Sequence, residues 1–196
     1  MLRNSSLLYL LLSLLVTPGC IGRDVGTVTE VSMVSCSEID SLSSYPEKNE
    51  YLEFMFQEDQ EYRIQTSEAT LTYGYNSPEL NDLYAAMNKT DDINKARVNC
   101  YLMKFGYPDS DSISDIASSA IPMIIHHSSD NTWKRELFPT LYSAYVNGDL
   151  DSGGLTYILN RMYESERGER LVMRSPFKIQ DEIDTLVHQL GLDTRK

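Results

Sequence analysis

The apolar positions between residues 47 and 192 recur at spacings of three and four, which is the period of an amphipathic helix. The first segment carries apolar residues at this spacing: Leu52, Met55, Phe56 and Tyr62. The pattern predicts a helix over about 47–69. The turn-forming run 73–78, which contains a glycine, an asparagine and a proline, then separates this helix from the next apolar segment.

The next apolar positions predict two helices. Residues 80–87 form a short one, and Thr90-Asp91-Asp92 offers N-cap side chains for another that ends at Gly106. After Asp111 a single face is predicted to point inward: Ile113, Ile116, Ala120, Ile124 and His127. Pro122 lies inside this segment, so we expect a kinked helix or two separate ones.

Three more helical patterns occur at residues 133–146, 154–164 and 179–190, and the last ends at Gly191. Residues 167–175 between them are predicted to be irregular or a hairpin. The predicted fold is therefore mainly α, a single compact domain of six or seven helices over 47–192, with a tail at 193–196.

The N-terminus has the pattern of an export signal. A positive residue, Arg3, precedes the apolar run 7–16, which is too short to span a bilayer and ends at a Pro-Gly pair. The sequence Val16-Thr17-Pro18-Gly19-Cys20 resembles a bacterial lipobox, although its proline is unusual. Residues 1–19 are predicted to be a lipoprotein signal peptide, with Cys20 as the lipidated residue. The alternative is ordinary cleavage, which would give a secreted or periplasmic soluble protein.

Residues 20–46 are rich in Ser, Thr, Gly and Val without a helical period, which predicts a flexible tether with a short strand around 28–34. Loss of residues 1–19 removes one basic residue, Arg3, and leaves 16 basic and 29 acidic side chains, a net charge of −13. Such a chain repels nucleic acid. The expected partners are a membrane, through the lipid anchor, and an envelope protein or small ligand.

Two further cysteines, Cys36 and Cys100, could form a disulfide in an oxidising envelope, or both could be unpaired thiols. The spacing leaves both alternatives open. No CxxC pair, phosphate loop or dinucleotide motif is present, and so the sequence predicts no metal site and no cofactor.

The adjacent histidines His126 and His127 end an apolar run. At 100° per residue His127 lies on the apolar face and His126 is rotated away from it. His127 is either a core histidine with buried partners or a reactive group. Neighbouring side chains on a helix diverge, and the pair is therefore not expected to chelate one metal ion.

Charged residues also fall on predicted inward faces. Asp59 follows Met55 by four positions, and Arg63 lies one turn beyond Asp59, so we expect them to pair. The alternative is a surface ion pair of little energetic value. Arg161 lies beside a buried face and could either hold an anion or cover the core edge. Asp92 and Asn94 are most simply interpreted as helix caps.

Several short motifs occur in an order that resembles an uncharacterised bacterial domain family of unknown function, often found in secreted proteins and lipoproteins. They are "EDQEYR" (58–63), "DDIN" (91–94), "FGYP" (105–108), "IHHSSD" (125–130) and "ILNRM" (158–162). The resemblance covers roughly residues 50–192. It implies that the family's polar positions correspond to Asp59, Gln60, Arg63, Asp92, Asn94, His127 and Arg161.

The chain departs from the family pattern at three places. His126 stands where the family has glutamine, and Asn160 where it has aspartate. The family's Gln-x-Tyr-Gly-Thr run is replaced by residues 170–173. The resemblance implies no reaction.

Two functions are compatible with these residues. The first is a membrane-tethered module that binds a ligand or protein in the envelope. The alternative is a hydrolase with His127 as general base, oriented by Asp59 or Asp92, and Arg63 or Arg161 holding an anion. The second requires these side chains to converge on an open cleft, and no nucleophile can be named.

Overall fold

The structure, a computed structural model, describes residues 36–194. Within this range the chain is mainly helical, with seven α-helices and no strand, so the predicted fold class is confirmed. The helices are α1 (36–40), α2 (Tyr45–Tyr73), α3 (Pro78–Phe105), α4 (Asp115–His127), α5 (Asn131–Asn147), α6 (Ser152–Arg167) and α7 (Ile179–Leu190), with a 3-10 turn at Ser110–Ser112. The predicted signal peptide, Cys20 and the strand around 28–34 lie outside the described residues.

The long helix α2 begins at a capping box. The Ser44 side chain accepts a hydrogen bond from the Glu47 backbone, and the Glu47 carboxylate accepts from the Ser43 and Ser44 backbone N–H groups. These bonds lower the pKa of Glu47 to about 2. The helix ends at Gly74, whose positive φ of 83° suits glycine. The predicted segment 47–69 therefore lies inside α2.

The prediction of two helices between residues 80 and 103 is wrong, because α3 runs through the Thr90-Asp91-Asp92 sequence without a break. Leu80 near its start and Val98 near its end are both fully buried. An aspartate inside a helix costs only a few tenths of a kcal/mol, less than the burial of this long face contributes. Asp92 and Asn94 are therefore interior helix residues and not caps.

Helix α4 is a single helix that contains Pro122, so the alternative of two separate helices is wrong. Its inward face also differs from the predicted one. Ile116 is 48% exposed, whereas the buried residues are Ala117, Ala120, Ile121, Pro122, Ile124 and Ile125. The buried face is wider than one stripe because α4 packs against α2, α3 and α6 at once.

The end of the predicted tether belongs to the packed domain. Ile39 in α1 is 1% exposed, and a disulfide joins Cys36 to Cys100 of α3, with their Cα atoms 5.2 Å apart. The Lys104 ammonium also donates to the Ile39 carbonyl at 3.1 Å. The folded body therefore begins before residue 47, the boundary that the periodicity predicts.

The C-terminal half agrees more closely with its prediction. Helices α5, α6 and α7 contain the predicted segments, and Gly148 and Gly191 end α5 and α7 in the left-handed conformation. Most of the segment between α6 and α7 is irregular. None of the helices in the described range is both long and apolar enough to cross a bilayer.

Candidate functional site

The site is centred on Asp59, which α2 points inward on the same face as Leu52 and Met55. Asp59 is 2% exposed, yet its carboxylate accepts hydrogen bonds from three side chains. The His127 Nδ1 lies 2.8 Å from Oδ2, an Arg63 Nη lies 3.1 Å from Oδ1, and the Gln60 amide donates to Oδ2 at 2.6 Å. A buried carboxylate thus joins the end of α4 to α2.

The charge of Asp59 is balanced by its neighbours. Burial raises its pKa, but the hydrogen bonds from His127 and Arg63 together outweigh burial, so the pKa lies below the ordinary value. Because an ionised carboxylate only accepts hydrogen bonds, His127 must donate from Nδ1. The other ring nitrogen, Nε2, then carries the lone pair when the ring is neutral.

Arg63 also connects this carboxylate to α3. The Nη that reaches Asp59 also donates to Asp91 Oδ1 at 2.5 Å, and the other Nη lies 3.2 Å from the Met87 sulfur. Burial raises the pKa of Asp91, an effect that Arg63 opposes and the nearby Asp59 charge reinforces. Each of the three guanidinium nitrogens of Arg63 therefore has at least one protein acceptor.

His127 and Arg63 line an open cleft of about 630 Å³, and Asp59 lies behind them. The other lining residues are Met87, Asn88, Asp91, Asp92, Lys95, His126, Ser128, Ser129, Asp130 and Arg161. The charged cluster is thus connected to solvent through His127, whose side chain is 19% exposed. A ligand can reach the imidazole.

His126 forms a second wall of this cleft. Its ring stacks on Tyr157 of α6, with 3.5 Å between the ring centroids and 7° between the planes. Its Nδ1 lies 3.1 Å from the Tyr157 carbonyl, which can only accept, so Nδ1 is the donor and Nε2 the acceptor. Burial lowers the pKa of His126 to about 4, helped by the charges of His127, Lys134 and Arg161.

Lys134, which the sequence analysis missed, lies beneath the histidines. It is 1% exposed, and its ammonium donates to the His126 carbonyl at 3.1 Å, near the C-terminal end of α4. Burial, together with the Arg161 charge, lowers its pKa to about 8. A signal was available, because Lys134, Phe138 and Leu141 have the helical spacing of a buried face.

The other predicted residues have different positions. Arg161 lines the cleft and is about half exposed, and its ion-pair partner in the described part of the chain is Glu164 at 3.8 Å. Asp92 also lines the cleft, but the carboxylate that contacts His127 is that of Asp59. Asn94 is fully buried and accepts from Arg97 at 3.1 Å, and it does not line the cleft.

The site thus combines seven of the predicted residues with others that the sequence did not indicate. The predicted residues that lie at the cleft or contact its lining are Asp59, Gln60, Arg63, Asp92, His126, His127 and Arg161. Asp91, Lys95, Asp130 and Tyr157 were missed as site residues: Asp91 was interpreted as part of a helix cap, and nothing in the sequence distinguishes the other three from ordinary surface residues. Within residues 36–194 no group of three or more His, Cys, Asp or Glu side chains is placed to hold a metal ion.

Comparisons of this chain with protein-family models, with curated proteins and with solved structures found no match. The resemblance to a bacterial family of unknown function therefore stays a prediction. The chemistry open to the cleft is set by its own side chains: one imidazole fixed by a buried carboxylate, a second imidazole, and charged groups of both signs.

Proposed function

We propose that this protein is a lipid-anchored protein of the bacterial cell envelope whose cleft binds a small polar ligand, with His127 as the group that accepts a hydrogen bond or proton from it. One observation carries the proposal: the Asp59–His127 hydrogen bond, 2.8 Å long, lies at the wall of an open cleft. Asp59 fixes the ring orientation and leaves Nε2 as the acceptor.

The cleft is better suited to a small molecule than to a protein surface. It is concave, and its lining is largely polar and charged. A ligand would form hydrogen bonds to fixed groups, because Asp59 and the Tyr157 carbonyl already orient the two rings. Such fixed groups lower the entropic cost of binding.

Saturation-transfer NMR with four probes tests this function: succinate, glucose, glycerol 3-phosphate and alanylalanine. We expect at least one probe to bind wild type and to lose its signal in H127N. H188N is the matched control, because His188 is exposed on α7 and does not line the cleft. Binding by none of the probes, or equal binding to H127N, would contradict the proposal.

A second candidate function is hydrolysis with water as the nucleophile. The same observation favours it, because a histidine held by a buried carboxylate is the usual arrangement of a general base. Water would add to the reacting carbonyl carbon while its proton passes to His127 Nε2. That proton would then move to the leaving group as the scissile bond breaks, and Asp59 would stabilise the imidazolium in between.

The serines of the cleft do not alter this scheme. Ser128 Oγ accepts from the Asp130 backbone at 3.2 Å, and within the described range it has no hydrogen bond to either histidine. Hydrolysis of 4-nitrophenyl acetate, a chromogenic ester with a carbonyl carbon, tests the reaction. A general base accounts for about 10²–10⁴-fold in rate. Equal rates for wild type, H127N and H188N would exclude this function.

A further inference from the structure

The ionic groups of the cleft differ in whether the protein already neutralises them. Three are basic and three acidic: Arg63, Lys95, Arg161, Asp91, Asp92 and Asp130. Arg63 binds Asp59 and Asp91, and the Lys95 ammonium binds Asp130 at 2.6 Å. These groups hold the helices together, so they have little capacity left for a ligand.

Two charged side chains of the cleft, Arg161 and Asp92, form no hydrogen bond with the described residues. Among residues 36–194 the ion-pair partner of Arg161 is Glu164, at 3.8 Å, which is too long for a strong hydrogen bond. Asp92 is exposed and has no hydrogen-bond or ion-pair partner among residues 36–194. One cation and one anion are therefore available to a molecule that enters the cleft.

These two charges lie on different walls. Asp92 belongs to α3 and Arg161 to α6, while α4, which carries both histidines, packs against each of these helices. On the α6 side, burial lowers the pKa of His126, and the charges of His127, Lys134 and Arg161 add to this effect.

This polarity disfavours ligands of a single charge. A simple anion would approach Arg161 but would meet Asp91 and Asp92 across the cleft, and a simple cation would leave Arg161 without a partner. A neutral sugar would cover both charges without pairing either, which costs free energy. The net charge of −13 after signal cleavage also favours a ligand with a positive end.

We propose that the ligands of this cleft are zwitterions of the amino-acid or short-peptide class, with the ammonium group at Asp92 and the carboxylate at Arg161. The inference rests on the proposed function and names its ligand class. His126 and His127 line the same cleft on α4, the helix that packs against both of these walls, and the N–H groups of a peptide can donate to their Nε2 atoms.

Isothermal titration with glycylglycine and alanylalanine, each compared with its N-acetyl and its C-amide derivative, tests the assignment. We expect a free dipeptide to bind and each derivative to bind about tenfold or more weakly, since each loses one charge pair. In R161Q the free acid and the amide should bind alike. In D92N the free amine and the N-acetyl form should bind alike.

Two exposed residues provide matched controls: R174Q for the arginine and D82N, on the same helix, for the aspartate. Both should keep the wild-type preference for the free dipeptide. His127-dependent binding of glucose, succinate or glycerol 3-phosphate without dipeptide binding would overturn the zwitterion assignment and leave the proposed function standing. Absence of His127-dependent binding for every probe would overturn both.

Discussion

Asp59 is the residue on which the cleft depends, because one buried carboxylate serves donors from two helices. His127 comes from α4, and Arg63 and Gln60 come from α2 itself. Removal of this charge would leave the Arg63 guanidinium and the His127 ring short of an acceptor. The cost of an orphaned partner exceeds the net value of the bond itself.

Asp59→Ala should therefore lower the free energy of unfolding by about 3 kcal/mol, the low end of the range for a broken buried ion pair, since Arg63 keeps Asp91. Urea denaturation followed by circular dichroism measures it. Asp82→Ala, at an exposed position of α3, should change stability by less than about 0.5 kcal/mol. A loss below about 1 kcal/mol for Asp59→Ala would contradict the buried pairing.

Lys134 predicts an unusual dependence of stability on pH. Its pKa is about 8 in the folded state against an ordinary 10.5, so the unfolded chain binds more protons between these values. Stability from this group therefore rises as the pH increases from about 8 to 10.5. The unfolding free energy of wild type should therefore rise relative to that of K134M between about pH 7.5 and about pH 10. K89M, at an exposed lysine, should show no such trend.

At the scale of elements, α3 shows how packing overrides a local start signal. Thr90-Asp91-Asp92 has the composition of an N-cap, but the structure places the cap at Ser77, whose side chain accepts from the Leu80 backbone at 3.2 Å. Asp91 pairs with Arg63 instead, and Asp92 faces the cleft. The uninterrupted helix is what brings both aspartates to the site.

Alanine substitution distinguishes a cap from an interior position. Ser77→Ala should cost about 1 kcal/mol of unfolding free energy, the usual value of an N-cap. Asp92→Ala should be neutral or stabilising by a few tenths, because alanine is the better interior helix residue. Thermal or urea unfolding of the two variants measures the contrast. Equal losses for both would mean that a helix does start near residue 90.

Helix α1 is held to the domain by its disulfide, by the buried Ile39 and by Glu38, which accepts hydrogen bonds from Tyr51 and Arg97. The Cys36–Cys100 bridge closes a loop with a sequence separation of 64. Loop entropy puts the stabilisation from such a bridge at up to about 4 kcal/mol. The double variant C36S/C100S should lose stability toward that limit in urea. If dithiothreitol leaves the stability of wild type unchanged and wild type unfolds at the same urea concentration as C36S/C100S, the bridge is excluded.

At the scale of the whole molecule, the proposed lipid anchor predicts that the helical domain and its cleft lie outside the cytoplasm. The anchor itself lies beyond the described residues, so it stays a prediction from residues 1–20. Cys20→Ala should move the protein from the membrane fraction to the soluble fraction, because acyl chains supply about 0.8 kcal/mol per buried methylene. C36S is the control and should remain membrane-bound. A wild type found in the soluble fraction would favour ordinary cleavage, and a membrane-bound Cys20→Ala variant would contradict lipidation at Cys20.

The sequence by itself determined the helical class and most helix ends, because periodicity and capping are local properties. Gly148 and Gly191 end helices where the pattern places them, and α2, α5, α6 and α7 contain their predicted segments. It also identified Asp59, Arg63 and His127, since charges on an apolar stripe need partners. Asp59 and Arg63 were paired by their spacing on one helix.

Only the tertiary structure decided which helices meet. It joined α3 into one helix, selected Asp59 over Asp92 as the partner of His127, buried Lys134 under the histidines, and packed residues 36–40 against α3. Each of these outcomes depends on groups far apart in the chain, where burial and pairing energies exceed the local preferences that a sequence pattern records.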